Sequence, residues 1–224
     1  MADRTAAPLG PGDVPGLLRR AAAAHQAGRL AEAEQHGRAV LAIQPDNADA
    51  KFLLAGVAAA AGRPVVAIDL LRQAIARNPG RAEYHGNLGA ILGRLGRLDE
   101  AIACFRAAIR LDPAAAAGHV ALGNALQAKG DLDGAIAGFR DGAAAEPGNA
   151  AAHVNLGNAL RLAGRLDESA ASLREAVRLN ANLPEAQHNL GVVLFAQGHL
   201  AEAEAAFRAG LRQKHSVRPC WWLR

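Results

Sequence analysis

Three kinds of side chain recur in this chain at a fixed spacing and could do chemistry. Asn87, Asn155 and Asn189 are separated by multiples of 34 residues, and Asn124 and Asn158 by one such step. Each carries a primary amide with two N–H donors and a C=O acceptor, a match for the alternating N–H and C=O groups of an extended polypeptide. His85, His119 and His153 keep the same step and would suit a metal ion if their rings converged. Arg38, Arg72, Arg106, Arg140, Arg174 and Arg208 form the third series, whose chemistry would be attraction of a polyanion.

The elements that carry these series follow from the period itself. Gly28, Gly62, Gly96, Gly130, Gly164 and Gly198 stand 34 residues apart, as do Pro45, Pro79, Pro113 and Pro147, with Ala181 on the next step. Ala33, Ala67, Ala101, Ala135, Ser169 and Ala203 keep that step, and so do Leu54, Leu88, Leu122, Leu156 and Leu190. Six units result: 14–47, 48–81, 82–115, 116–149, 150–183 and 184–217. Each divides at its glycine into two helical patterns, and the proline parts it from the next, so a helix hairpin is predicted six times over. Asp99, Asp133 and Asp167 fall near the start of a second helix, where negative charge complements the helix dipole.

His85-x-x-Leu88-Gly89-x-x-Leu92, then Ala101-x-x-x-Phe105, then Pro113, resembles the tetratricopeptide repeat, with His for the usual Trp and Leu for Tyr. Units two to six match well; the first carries Gly37 where Phe105 stands in unit three. The resemblance implies an all-α, right-handed superhelical solenoid of about six 34-residue hairpins over 14–217, flanked by a flexible leader (1–13) and an irregular tail (218–224). Gly89, Gly123, Gly157 and Gly191 lie inside first helices, where glycine costs about 1 kcal/mol relative to alanine. With Ala21 and Ala55 in the first two units, they predict that the two helices of each hairpin nearly touch.

At 100° per residue, Leu156, Leu160, His153 and Gly157 share one face of their helix, while Asn155 and Asn158 are neighbours on the opposite one. Tetratricopeptide solenoids resemble one another in lining a concave wall with first helices and binding ligands there. The candidate groove therefore comprises Asn87, Asn124, Asn155, Asn158 and Asn189, with Gln127, Arg94 and Arg161 completing the set. The string "HxNLGxxL", as in "HGNLGAIL" and "HVNLGNAL" and shifted by one in "QHNLGVVL", is similar to repeats of the O-linked N-acetylglucosamine transferase family. In that family an asparagine ladder holds the substrate's backbone; Asn87, Asn155 and Asn189 carry over, and Leu53 and Ala121 interrupt the ladder. A second tetratricopeptide mode grips a terminal carboxylate with Lys and Arg, but the corresponding places hold Phe52, Gly56, Asn87 and Ala121, so a chaperone tail is not expected.

The remaining features narrow the function class. Adjacent helix axes lie roughly 8–10 Å apart, too far for the recurring histidines to share an ion bound at about 2 Å, so they read as packing residues. Each arginine lies about 100° from the buried residue before it, on the flank or convex side, with Glu34 and Glu204 placed to pair with Arg38 and Arg208. With 25 Lys and Arg against 21 Asp and Glu, and 4% aromatics, nucleic acid is not expected as a partner. Cys104 and Cys220 have no metal or redox spacing, and no phosphate loop, paired carboxylates or nucleophile elbow is present. No catalytic residue, metal or cofactor is expected.

The chain begins with no export signal, and its longest charge-free apolar stretch, Phe52 to Gly62, is about half of a membrane span, so a cytoplasmic protein is expected. At the other end, "RPCWWLR" resembles no amphipathic capping helix. Trp221 and Trp222 fold back over the last hairpin, or the chain is cut short of a further domain; the second reading is preferred, and the exposed end would offer a surface for self-association. The expectation is a non-catalytic scaffold for a partner protein or extended peptide, the alternative being the substrate-recognition region of an O-linked glycosyltransferase whose catalytic domain is absent from this chain.

Overall fold

The computed structural model describes residues 13–216, with side chains to Arg212, and the described residues form helices without strands. In chain order these are α1 (Val14–Gln26), α2 (Leu30–Ile43), α3 (Ala48–Ala60), α4 (Pro64–Arg77), α5 (Ala82–Arg94) and α6 (Leu98–Leu111), then α7 (Ala116–Lys129), α8 (Leu132–Ala145), α9 (Ala150–Leu162), α10 (Leu166–Leu179), α11 (Pro184–Ala196) and α12 (Leu200–Ser216). Consecutive helices pair as hairpins, confirming the expected all-α architecture of helix pairs. Two compact halves, α1–α6 and α7–α12, divide between Leu111 and Asp112. In the first, α2 packs on α3, α4 on α5, and α1 reaches α3; in the second, α8 packs on α9, α10 on α11, and α9 touches both α7 and α11. Residues 1–12 of the expected leader and the whole 218–224 tail, with both tryptophans, lie outside the described residues. No helix among the described residues is long and apolar enough to cross a membrane.

The periodic glycine closes each hairpin. Gly130 has φ +89° and its five counterparts lie between +71° and +81°, in the left-handed region where a Cβ is strained. The following amide bonds back five residues, as from Arg97 to the Leu92 carbonyl at 3.0 Å and from Asp131 to Leu126 at 2.9 Å, which satisfies carbonyls that the helix end leaves open. Hairpin entry is capped less regularly. Asp13, Asn47 and Asn149 accept from the amides of Gly16, Ala50 and Ala152 at 2.8, 2.8 and 3.2 Å.

The recurring histidines guard the turn between hairpins. Nε2 of His85, His119 and His153 approaches the carbonyl of Pro79, Pro113 and Pro147, six residues back, at 3.2, 2.9 and 3.4 Å. The proline forces the helix to end and its carbonyl needs a donor; a half-buried imidazole on the next helix supplies one. His119→Leu keeps most of the bulk and removes the donor, so a loss of about 1 kcal/mol is expected in urea unfolding monitored by circular dichroism.

The glycines inside the first helices have a different cause from the one expected. A Cβ added to Gly89, Gly123, Gly157 or Gly191 would lie 2.8, 2.7, 2.6 or 2.7 Å from the side chain of Phe105, Phe139, Leu173 or Phe207, on the second helix of the same hairpin. A ring or isobutyl group from the partner helix thus occupies the missing Cβ's place, rather than the two backbones meeting. Backbone approach does occur at Gly138, whose Cβ would come within 3.1 Å of the His119 carbonyl and the Gly123 amide. The fully buried Ser169 takes the place of alanine on its second helix because its hydroxyl donates to the Gly157 carbonyl at 2.7 Å.

Candidate functional site

First helices carry the candidate residues. Asn87 and Arg94 are exposed on α5; Asn124 is exposed and Gln127 half-buried on α7; Asn155, Asn158 and Arg161 are half-buried on α9, and Asn189 on α11. Asn87 and Arg94 line a substantial cavity. The Asn87 amide already donates from Nδ2 to the Glu83 carbonyl at 2.8 Å, on its own helix, which leaves one N–H and the oxygen for a ligand. The side chains of Asn124, Gln127, Asn155, Asn158 and Asn189 make no hydrogen bond among the described residues.

That cavity is an open groove of about 630 Å³ across α1, α3 and α5 of the first half. Leu18, Ala22, Phe52, Leu53, Gly56 and Ile91 give it apolar walls, and Arg19, His25, Asp49, Asn87 and Arg94 place polar groups on it. Arg19, Leu53 and Asn87 are separated by one repeat each, so the asparagine position of the sequence argument does face this groove in three successive hairpins. The apolar part was missed because Leu53 was read as an interruption of a polar ladder. Stepping back by 34 residues from Asn87, and from Ala90 to Gly56 and Ala22, would have found it.

One wall of the groove is fixed from below. Phe52 stacks on Tyr84 with ring centroids 4.9 Å apart and planes 30° from parallel. Tyr84 is fully buried, and its hydroxyl donates to Asp49 Oδ1 at 2.6 Å. Arg81 lies over the Tyr84 ring at 5.7 Å and within 3.9 Å of the same carboxylate. Burial, and then the Asp49 carboxylate, hold the phenol well above its ordinary pKa. Because the folded value is raised, this proton stabilises the fold below the unfolded tyrosine pKa of about 10 and the contribution is lost as pH rises beyond it. Tyr84→Phe should cost about 1.5 kcal/mol at neutral pH. In alkaline melts above about pH 10 the gap to wild type should narrow; an unchanged gap would show that the hydroxyl does not titrate with folding.

Five arginines of the series, all but Arg106, are committed elsewhere. Arg72, Arg140 and Arg174 reach Glu100, Glu168 and Glu202 at 3.4, 3.3 and 3.0 Å across to the following hairpin, and Arg38 and Arg208 pair with Glu34 and Glu204 at 2.7 Å. Glu100 and Glu168 are also held by Arg97 and Arg165, whose hydrogen bonds keep both carboxyls below the usual carboxylate range. Such exposed pairs add little stability, but they offset the charge of those five arginines. Burial, then Glu100, pushes the Cys104 thiol above its ordinary pKa, the opposite of what a nucleophile needs. On the last hairpin Phe195, Leu200 and Leu211 are exposed.

Comparisons with known proteins agree with this architecture. Profiles of the tetratricopeptide repeat match residues 24–91 and 185–212, and a TPR-repeat profile matches 94–130 and 157–198. No curated protein matches the sequence significantly. Among solved structures, pilF of Pseudomonas aeruginosa is similar with a TM-score of 0.78 at 18% identity, covering 91% of each chain. MamA from Desulfovibrio magneticus RS-1 reaches 0.71 at 20% identity over 78% of this chain and 98% of its own. YrrB, described as a TPR protein with an unusual peptide-binding site, reaches 0.66 at 20% identity over 79% of this chain and 91% of its own. At such identities the likeness shows the fold alone.

Proposed function

Since the chain is built of tetratricopeptide repeats, we propose that it is a non-catalytic, cytoplasmic scaffold that holds an extended segment of a partner protein against its first helices. The observation that carries this reading is the groove across α1, α3 and α5, in which one repeat position supplies Arg19, Leu53 and Asn87 in turn. An open trough with apolar walls and a few polar groups on its rim suits a peptide, which brings side chains for the walls and backbone groups for the amides. The peptide-binding site named for YrrB lends support by analogy of fold. In the second half, taken by itself, the amides of Asn124, Asn155, Asn158 and Asn189, with Gln127 and Arg161, are the proposed contacts on α7, α9 and α11. The glycosyltransferase alternative rests on the "HxNLGxxL" resemblance alone. Exposed Phe195, Leu200 and Leu211 would supply the surface for self-association.

The test compares affinity capture from lysate by wild type and by a folded variant carrying Asn87→Ala, Asn155→Ala and Asn189→Ala, read by mass spectrometry. Partners held by wild type and lost by the variant support the reading. The same partners on both would remove the asparagines from the binding surface.

A further inference from the structure

Gly56 lies well inside α3, where glycine weakens a helix relative to alanine, yet its backbone is ordinary helix and requires no glycine. The glycines at 89, 123, 157 and 191 are filled by a side chain of their own hairpin at under 3 Å. Gly56 is not. A Cβ there would meet only the His25 ring, at 3.4 and 3.6 Å, and Gly56 forms part of the groove floor. The room it leaves is therefore open to an outside group. Beside it stands Phe52, held rigid by its stack on Tyr84, with Leu18, Leu53 and Ile91 around it.

Charge on the rim is predominantly positive. Arg19 on α1 and Arg94 on α5 are exposed, and neither has an ion pair among the described residues, in contrast to Arg38, Arg72, Arg140, Arg174 and Arg208 on the second helices. The carboxylate on the groove, Asp49, already accepts from the Tyr84 hydroxyl and lies near Arg81. Two free guanidinium groups flanking an apolar trough recognise a carboxylate next to a large apolar side chain.

Resting on the peptide reading above, we propose that this groove is a side-chain-specific subsite for an acidic-apolar segment: a bulky aromatic or aliphatic residue enters over Gly56 against Phe52, and flanking Asp or Glu carboxylates pair with Arg19 and Arg94. The occupant is a partner's segment rather than the chain's own "RPCWWLR", whose two tryptophans are flanked by Arg218 and Arg224, the wrong sign for this rim.

The test is fluorescence polarisation on the full chain with labelled, end-blocked peptides GSDEWLDEGS, GSKRWLKRGS, GSDEAADEGS and SVRPCWWLR. The first should bind at least tenfold more tightly than the other three. Gly56→Leu, which plugs the floor and improves helix propensity, should weaken it at least tenfold without lowering the melting temperature. The surface double variant Arg19→Glu, Arg94→Glu should do the same and reduce the salt dependence, which keeps the test decisive if the plugged variant folds poorly. Equal binding of GSKRWLKRGS, tighter binding of SVRPCWWLR, or full binding by the double variant overturns the proposal. Should GSDEWLDEGS fail while lysate partners are still lost with the asparagine variant, this subsite falls and the broader peptide reading stands; failure of GSDEWLDEGS together with the same partners on wild type and variant sinks both.

Discussion

Phe139→Ala is expected to lower the unfolding free energy by about 3–5 kcal/mol, the range for truncating a fully buried aromatic. Phe139 is 1% exposed, and its ring occupies the space that Gly123 leaves on the facing helix of the same hairpin. Removal therefore creates a void that no neighbour can close, because the glycine opposite has no side chain to move in. Helix pairs share their stability chiefly with adjacent pairs, so the loss should be local first. Hydrogen exchange should show amides of α7 and α8 opening at lower denaturant than those of α11 and α12. A loss of under about 1 kcal/mol would mean the site collapses around the vacancy, against the packing described here.

How far the sequence disclosed this architecture depends on whether the cause of each residue was a side chain or the backbone. The six glycines at the hairpin turn were legible because a left-handed φ admits few other residues, and their fixed spacing exposes the period. The role of His85, His119 and His153 was not, since their partner is a backbone carbonyl that every residue possesses; the accompanying proline was the available clue. Helix-wheel geometry put the asparagines on first helices, and Asn87 lines the groove there, but treating the face as one polar ladder hid the groove's apolar walls. A lone Gly56 or Leu53 looks like a defect in a repeat until three consecutive first helices are laid side by side, when the same positions become its floor and wall. The Glu34–Arg38 and Glu204–Arg208 pairs were legible from local spacing, but the partners of Arg72, Arg140 and Arg174 lay a hairpin away: Arg72 finds Glu100 twenty-eight residues on, a pairing that local i to i+4 rules cannot reveal.

Size exchange within a hairpin is the most consequential of these hidden rules, and Gly89→Val tests it with an expected loss of about 3 kcal/mol, at the upper end for overpacking a filled site. Even a methyl on Gly89 would stand 2.8 Å from the Phe105 ring, and valine adds two further carbons in a helix that fixes their direction. Sixteen residues separate the members of each pair, and glycine stands opposite Phe105, Phe139, Leu173 and Phe207. Gly89 faces Phe105 and Gly191 faces Phe207, whereas the second repeat has Ala55 with Leu71, both buried. The first repeat breaks the rule consistently: Ala21 is followed by Gly37, and the space beside Gly37 is taken by Leu54 from the next hairpin, 2.7 Å from where its Cβ would be. Gly89→Ala should accordingly be destabilising alone despite gaining about 1 kcal/mol of helix propensity, and near neutral in a Phe105→Leu background that copies the Ala55 and Leu71 pair. A double-mutant cycle in urea should return a coupling of about 1–3 kcal/mol. Additive effects would mean that the glycine and the ring do not compete for the same space, and that the repeat's small residues have some other cause.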